Sequence, residues 1–462
     1  MIAYARQFAH FQRNARLYLV SNALSGVTTG ILLLLYNLYL ASLGYNADFI
    51  GLVLFVGAIG GGLAIFPAGY CIDRFRGKPI LIWSNLLIGC AGAGQILFRQ
   101  PIPLLLSAFI AGIGVAFILV INAPFLTRNS APDERPHLFS LNLVLSLVTI
   151  VLGKLIGGVL PVLFMHTPWL MAPLPAGFGG ALAAQSAPRA YQLALLVAGT
   201  IAAPSFIPFF LMREDHRRGV GLPRPEAEGL SRPEAEGLPR PEAEGLSRPE
   251  AEGLPRSLIT WACRARVALR NPRAIIRSPL FLLTLVQALI GFGAGLFIPY
   301  FNLYFVQHLH LSPALFGLID GAATATTALF TLVAPWLAAR VGRVRSIALT
   351  ELTSVPLMLT IGLVPIVPLI APLYLLRQGF MDMSNGVLQV FSMEAVPQQR
   401  RGLANSSYQA GFQVANALSS PLGGLIITFL GYSPIFVVAA VCYLLAISTL
   451  WANFGKRHKQ TE

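Results

Sequence analysis

Charge is scarce in this chain. Only 11% of its 462 residues are Asp, Glu, Lys or Arg, against about 25% in an ordinary soluble domain. Hydrophobic residues make up 55%, and mean hydropathy is +0.67. A soluble globule of this size has no interior large enough for so much apolar surface. A soluble enzyme, a nucleic-acid-binding domain and a disordered scaffold are therefore excluded at the outset. Cysteine is scarce as well. Cys71, Cys90, Cys263 and Cys442 are scattered and mostly sit in apolar stretches. They form neither a disulfide framework nor a metal spacing, and are expected to be packing residues. Alternating segments of about ten residues, the mark of a membrane β-barrel, are missing. No cleavable leader is expected either. Arg6, Arg13 and Arg16 precede an apolar segment too long for a signal peptide, so that segment is expected to stay as the first span.

What the chain has in quantity is apolar runs long enough to cross a bilayer, which takes about 20 residues. Twelve are read: 17–42, 48–70, 79–98, 102–124, 140–164, 191–212, 279–306, 312–337, 346–366, 368–391, 404–430 and 432–454. The net charge of +14 then has a placement. Outside the central segment, Arg6, Arg13, Arg16, Arg74, Arg76, Lys78, Arg128, Arg135, Arg340, Arg343, Arg345, Arg400, Arg401, Lys456, Arg457 and Lys459 fall on one side of these spans. Only Arg99 and Arg189 fall on the other. Positive loops stay inside, so both termini are expected to be cytoplasmic.

The halves repeat each other. Gly30 to Tyr39, ending Tyr36-Asn37-Leu38-Tyr39, aligns with Gly295 to Tyr304, ending Phe301-Asn302-Leu303-Tyr304. Gly51 aligns with Gly317, and Pro132-Asp133-Glu134-Arg135 with Pro397-Gln398-Gln399-Arg400. Each pair lies on one side of the membrane, so the repeats are parallel, related by an axis along the membrane normal. The expected organisation is an N-terminal six-helix bundle over 1–212, a linker over 213–277 and a C-terminal six-helix bundle over 278–462. Within the linker, Arg-Pro-Glu-Ala-Glu-Gly-Leu followed by Ser or Pro occurs four times between Arg224 and Pro255. Its frequent proline and few large apolar groups read as a disordered tether. Arg264, Arg266, Arg270, Arg273 and Arg277 then recur at helical intervals, the pattern of a basic amphipathic helix on an anionic leaflet.

The loop after the second span reads Gly69-Tyr70-Cys71-Ile72-Asp73-Arg74-Phe75-Arg76-Gly77-Lys78. This resembles the signature of the major facilitator superfamily, with Arg76 placed before Gly77 rather than after it. After the eighth span, Arg340-Val341-Gly342-Arg343 keeps part of the signature, with Ala339 where its Asp would stand. With twelve spans and parallel halves, the resemblance covers essentially the whole chain. It implies an all-α membrane protein with two six-helix bundles around a central site. It also implies a cytoplasmic gate in which Asp73 is the latch and Arg74, Arg76 and Lys78 are its anchors. Gly69, Gly77, Arg340, Gly342 and Arg343 belong to the same gate motif. The fifth span, Gly153-Lys154-Leu155-Ile156-Gly157-Gly158-Val159-Leu160-Pro161, is similar to the Gly-x-x-x-Gly-Pro motif of antiporter branches, with the proline displaced.

Polar groups inside spans are costly and usually functional. At 100° per residue, Asp320, Thr324, Thr327 and Thr331 share one face. So do Gln378, Asp382, Asn385 and Gln389; Asn405, Gln409, Gln413, Asn416 and Ser420; Asn22, Ser25, Thr29 and Tyr36; and Asn142, Ser146, Thr149 and Gly153. These stripes read either as helix–helix glue, favoured for the Ser and Thr members, or as the walls of an aqueous cavity. Gln378, Asp382, Asn385, Gln409 and Gln413 point to the cavity. Asn122 and Asn302 are further candidates. Lys154 is expected to hold an anionic substrate or balance a carboxylate. Arg377 is expected to pair with Asp382, Glu351 or an anionic substrate, and Glu351 to be an internal salt-bridge partner. Desolvation favours a neutral carboxyl, which makes Asp320 and Asp382 the candidates for carrying a proton. His308 and His310 read as exposed loop histidines, too few for a metal site.

The expected function is secondary active transport of a small organic solute by alternating access. The lean is towards proton-coupled efflux of an amphipathic or lipophilic compound by a monomer in a bacterial inner (plasma) membrane. An uncoupled facilitator, and a transporter-like receptor acting through the repeat linker, are the alternatives. Catalysis, cofactors, bound metals and nucleic acid have no sequence feature in their favour.

Overall fold

The computed structural model describes residues 11–75, 77–131, 134–172, 182–212, 278–397 and 401–455. The repeat linker, the basic stretch 264–277, Cys263, Arg76 and Arg400 lie outside the described residues, as does the side chain of Asp73. Twelve long helices are present: α1 (Arg13–Ser42), α2 (Ala47–Arg74), α3 (Gly77–Leu97), α4 (Pro101–Arg128), α5 (Arg135–Met165), α6 (Ser186–Leu211), α7 (Pro279–His308), α8 (Pro313–Val341), α9 (Arg343–Leu363), α10 (Val367–Glu394), α11 (Arg401–Leu430) and α12 (Ser433–Phe454). Together they form one compact unit.

Each is helical because lipid offers no partner to a backbone amide, so every spanning segment must bond its own backbone. Proline stands in the first turn of α4, α5, α8, α10 and α12, where its missing N–H costs nothing. Ser312 caps α8 by accepting the Leu315 N–H at 3.2 Å. Among the described residues, eleven of the twelve helices are long and apolar enough to cross a membrane. The exception is α10, which carries Arg377, Gln378, Asp382, Asn385 and Gln389. Several helices run past their apolar core. Thus α4 continues to Arg128, α5 begins at Arg135 and α6 at Ser186, because polar ends extend a helix into the interface without cost. Arg189 is consequently no loop charge. It is 3% exposed and donates to the carbonyls of Ala172, Ala183 and Ala184 at 2.7 Å each.

The internal repeat is written in contacts as well as in sequence. The Tyr39 hydroxyl donates to the Ile96 carbonyl at 2.8 Å, and its repeat mate Tyr304 donates to the Ile361 carbonyl. Gly26 and Gly30 of α1 pack on α5, against the Thr149 side chain and the Ile150 backbone; Gly291 and Gly295 of α7 pack on α11, against Phe412, Asn416 and Ser419. The helix α7 loses regularity around Pro299, with a 3-10 turn at Ile298–Tyr300 and a wide turn at Tyr304–His308, as expected where proline removes a donor.

The halves meet at two equivalent crossings. A Cβ on Gly317 of α8 would lie 2.6 Å from the Lys154 carbonyl of α5. One on Gly51 of α2 would lie 2.7 Å from the Ser420 carbonyl of α11. Both crossings lie towards the face opposite the one that carries the chain termini. Towards the terminal face, Gly62 and Gly69 of α2 and Gly402 of α11 meet no atom within 4 Å at the Cβ position. Phe66, Tyr70, Leu332 and Trp336 are exposed there. The halves therefore close at one face and part at the other.

Candidate functional site

The charged groups within the spans gather between the halves and in the C-terminal bundle beside them. Lys154 of α5 reaches across the α5–α8 crossing, where small glycines let the backbones approach. Its Nζ lies 2.9 Å from Asp320 Oδ2, with side-chain exposures of 12% and 16%. It also donates to Thr324 Oγ1 at 2.9 Å. The other oxygen of Asp320 accepts the Tyr374 hydroxyl of α10 at 2.9 Å. One ion pair thus bridges the bundles, and a tyrosine ties it to α10. Of the two readings for Lys154, the structure has it balancing a carboxylate. The equivalent crossing lacks this feature, because its Lys154 counterpart is Ser420, whose hydroxyl bonds to its own helix at Asn416.

One turn deeper towards the terminal face, Asp382 Oδ2 accepts Thr327 Oγ1 at 2.8 Å and Gln378 Nε2 at 2.9 Å. Three members of the expected α8 and α10 stripes are thus in contact. Thr327 and Thr324 hold the two carboxylate clusters on adjacent turns of α8. Asn385 is half-buried, and Gln409 and Gln413 of α11 are exposed. In a span such groups need water or another helix.

Arg377 pairs with neither Asp382 nor Glu351. It is 0% exposed, stacks 4.8 Å above the Phe297 ring and donates to Gln378 Oε1 at 3.1 Å and the Tyr443 hydroxyl at 3.3 Å. Helix rotation explains this, since Arg377 points into the C-terminal bundle while Gln378 turns outward. The expected salt bridge of Glu351 is not formed either. It is 1% exposed and accepts only Ser384 Oγ, at 3.2 Å; its Oε2 has no partner among the described residues.

The other candidates are placed in the helices. Asn22 donates to Asn142 Oδ1 at 2.7 Å and Ser146 Oγ at 2.8 Å, so the α1 and α5 stripes face each other as glue. Thr29 bonds to the Ser25 carbonyl within its helix. Asn302 is held by the Leu34 carbonyl and the Leu303 N–H. Tyr36 and Asn122 each keep one buried polar atom, the hydroxyl and Oδ1, without a partner among the described residues. His308 stacks against Tyr304 and Tyr432, and no metal-holding group of three or more His, Cys, Asp or Glu exists among the described residues.

In the gate motif, Lys78 Nζ donates to the Phe210 and Met212 carbonyls at 3.1 and 2.8 Å. It thereby satisfies the free end of α6. Arg74 lies over Tyr70, Gly69 is open and Gly77 packs on Phe125. In the second copy, Arg340 stacks 4.8 Å above Trp336 and Arg343 pairs with Glu394 at the end of α10. Gly342, at φ 85°, joins α8 to α9 in a conformation that glycine alone adopts readily. A cavity of about 740 Å³ opens among Cys71, Arg74, Trp83 and Phe117 near this motif. Among the described residues its lining holds no carboxylate.

The sequence model described as Major Facilitator Superfamily matches residues 18–286 and again 283–462. Among solved structures, the chain is similar to a bacterial homologue of the iron transporter ferroportin in an inward-facing state, at 17% identity and TM-score 0.66, over 96% of this chain and 98% of that one. It is similar to a bacterial homologue of the human lysosomal transporter Spinster, inward-facing and occupied, at 14% identity and TM-score 0.69, over 96% and 97% of the two chains. A D-xylose–proton symporter shares 16% identity at TM-score 0.61, over 96% and 99%. No curated protein matches.

Proposed function

The chain belongs to the major facilitator superfamily, and on that premise we propose that it is a proton-coupled secondary transporter of a small organic solute. It works by alternating access as a monomer in the bacterial inner membrane, with both termini cytoplasmic. On that orientation the parted face is the cytoplasmic one, so this is the inward-facing state. The observation that carries the reading is the Lys154–Asp320 ion pair across the α5–α8 crossing, beside a second carboxylate, Asp382, that no cation contacts among the described residues.

The coupling follows from the cost of charge in a membrane. An ionised carboxylate crosses the barrier cheaply only when it is neutralised, by a cation or by a proton. Asp320 has Lys154 to neutralise it in this state. Opening the outer face pulls α5 from α8 and removes that partner, so a proton takes the place of Lys154. Asp382 alternates between a proton and the solute. Proton flow down its gradient then drives the solute outward.

The test is flux in proteoliposomes under an imposed pH gradient, with a fluorescent reporter of internal pH and a broad solute library. Wild-type protein is expected to exchange protons when its solute is added. Asp320→Asn combined with Asp382→Asn is expected to abolish that exchange. Unchanged pH-driven flux in the double variant overturns the proposal.

A further inference from the structure

We infer that the site between the bundles takes a monovalent organic cation, anchored on Asp382 Oδ1. This rests on the transport reading above and specifies its solute. Both hydrogen bonds to Asp382, from Thr327 and Gln378, go to Oδ2. Its Oδ1 has no partner among the described residues, and the side chain is only half-buried. The carboxylate is thus oriented from one side and open on the other.

The internal cations are already committed. Lys154 is held by Asp320 and Thr324. Arg377 is sealed against Phe297 and Tyr443. Gln378 stands between Arg377 and Asp382, giving its carbonyl oxygen to the guanidinium and its amide hydrogen to the carboxylate. That placement keeps the two charges from closing on each other.

The charged groups of the cluster are Lys154 from α5, Asp320 from α8, Glu351 from α9, and Arg377 and Asp382 from α10. The Tyr374 and Tyr443 hydroxyls lie among them. Glu351, enclosed in the C-terminal bundle with no cation beside it among the described residues, is held neutral and adds no charge, because an isolated buried charge is costly. Lys154 is taken by Asp320, which leaves Asp382 as the carboxylate that no cation contacts among the described residues. One proton or one monocation neutralises it directly, and an anion would add to its charge. Asp382 is where the charge must land, because Asp320 is already taken by Lys154 and Tyr374, and Glu351 is enclosed in the C-terminal bundle. The cation is organic because, among the described residues, no second carboxylate or histidine joins Asp382 to replace the water of a metal ion. The half-buried Asn385 amide, three residues further along α10, lies on the same helix face as Asp382.

The test uses the full chain in lipid nanodiscs and three probes sharing a phenylbutyl body. One carries a trimethylammonium head, one a hydroxyl and one a carboxylate. Equilibrium binding is measured at neutral and mildly acidic pH. Saturable binding of the ammonium probe alone is expected. Asp382→Asn is expected to lower its affinity about 30-fold or more, as loss of a buried charge partner does, and Asp382→Glu to retain binding. Melting curves confirm that each variant is folded. The inference is overturned by equal binding of the hydroxyl or carboxylate probe, by ammonium binding that survives Asp382→Asn, or by no saturable binding of any probe. A protein that prefers the neutral or anionic probe yet still alternates between its two open states remains a transporter, so the two readings fail separately.

Discussion

Asn37 and Asn302, which correspond under the internal repeat, each hold the other's helix. Asn37 Nδ2 donates to the Pro299 carbonyl at 2.7 Å, and Asn302 Nδ2 donates to the Leu34 carbonyl at 3.1 Å. Leu34 and Pro299 stand three residues before the two asparagines, so the repeat maps each bond onto the other. The pair forms a symmetric clasp between α1 and α7, across the axis of the internal repeat. Asn37→Ala removes the side-chain donor to the Pro299 carbonyl, and Asn302→Ala removes the bond to Leu34 and the acceptor of the buried Leu303 N–H; each should cost about 1–3 kcal/mol. Thermal unfolding of the purified protein should show a lowered Tm for each variant, with solute affinity kept. A lost affinity at unchanged Tm would make Asn302 a binding residue instead.

The ion pair should behave as a buried pair, since both partners are mostly covered. Lys154→Met or Asp320→Leu alone strands a charge and should destabilise by about 3–5 kcal/mol. The double variant should recover most of that loss, as a double-mutant cycle on unfolding would reveal. Additive losses would mean the two residues do not interact.

The glycine crossing should set which face is open. Gly158→Ala and Gly317→Ala put a methyl group where the α5 and α8 backbones touch. The expected outcome is a shift towards the outward-open state, read as increased labelling of a cysteine placed near the outer end of α5. Gly51→Ala should do the same at the equivalent crossing. Unchanged labelling would show that close approach there does not hold the closed face.

Much of this molecule is legible one residue at a time, and some of it is not. The twelve spans follow from apolar length, and the parallel halves from the alignment of Tyr36-Asn37-Leu38-Tyr39 with Phe301-Asn302-Leu303-Tyr304. The stripe of Gln378, Asp382 and Asn385 follows from helical period, and two of its members do bond. Partner choice does not follow, because it depends on how each helix is rotated and where it crosses its neighbour. Arg377 sits one position from Gln378 in sequence yet points into the bundle, to Tyr443 and Phe297. Glu351 has no cation because the nearest elements present Ser384 and Tyr443 to it. Asn22 of α1 is bonded to Asn142 and Ser146 of α5, a pairing that no periodicity in either helix alone could reveal. The role of Lys78 at the end of α6 is likewise a matter of packing between distant segments.

The central claim is that the two bundles open at alternate faces, and pairs of spin labels measure this most directly. One pair sits at His137 and Ala339, on the terminal ends of α5 and α8; the other at Met165 and Leu315, on their opposite ends. Distances are recorded in nanodiscs at neutral and acidic pH, with and without the ammonium probe. The account predicts that the His137–Ala339 distance shortens in the conditions where the Met165–Leu315 distance lengthens. Two distances that stay fixed in every condition, or that lengthen together, would contradict it.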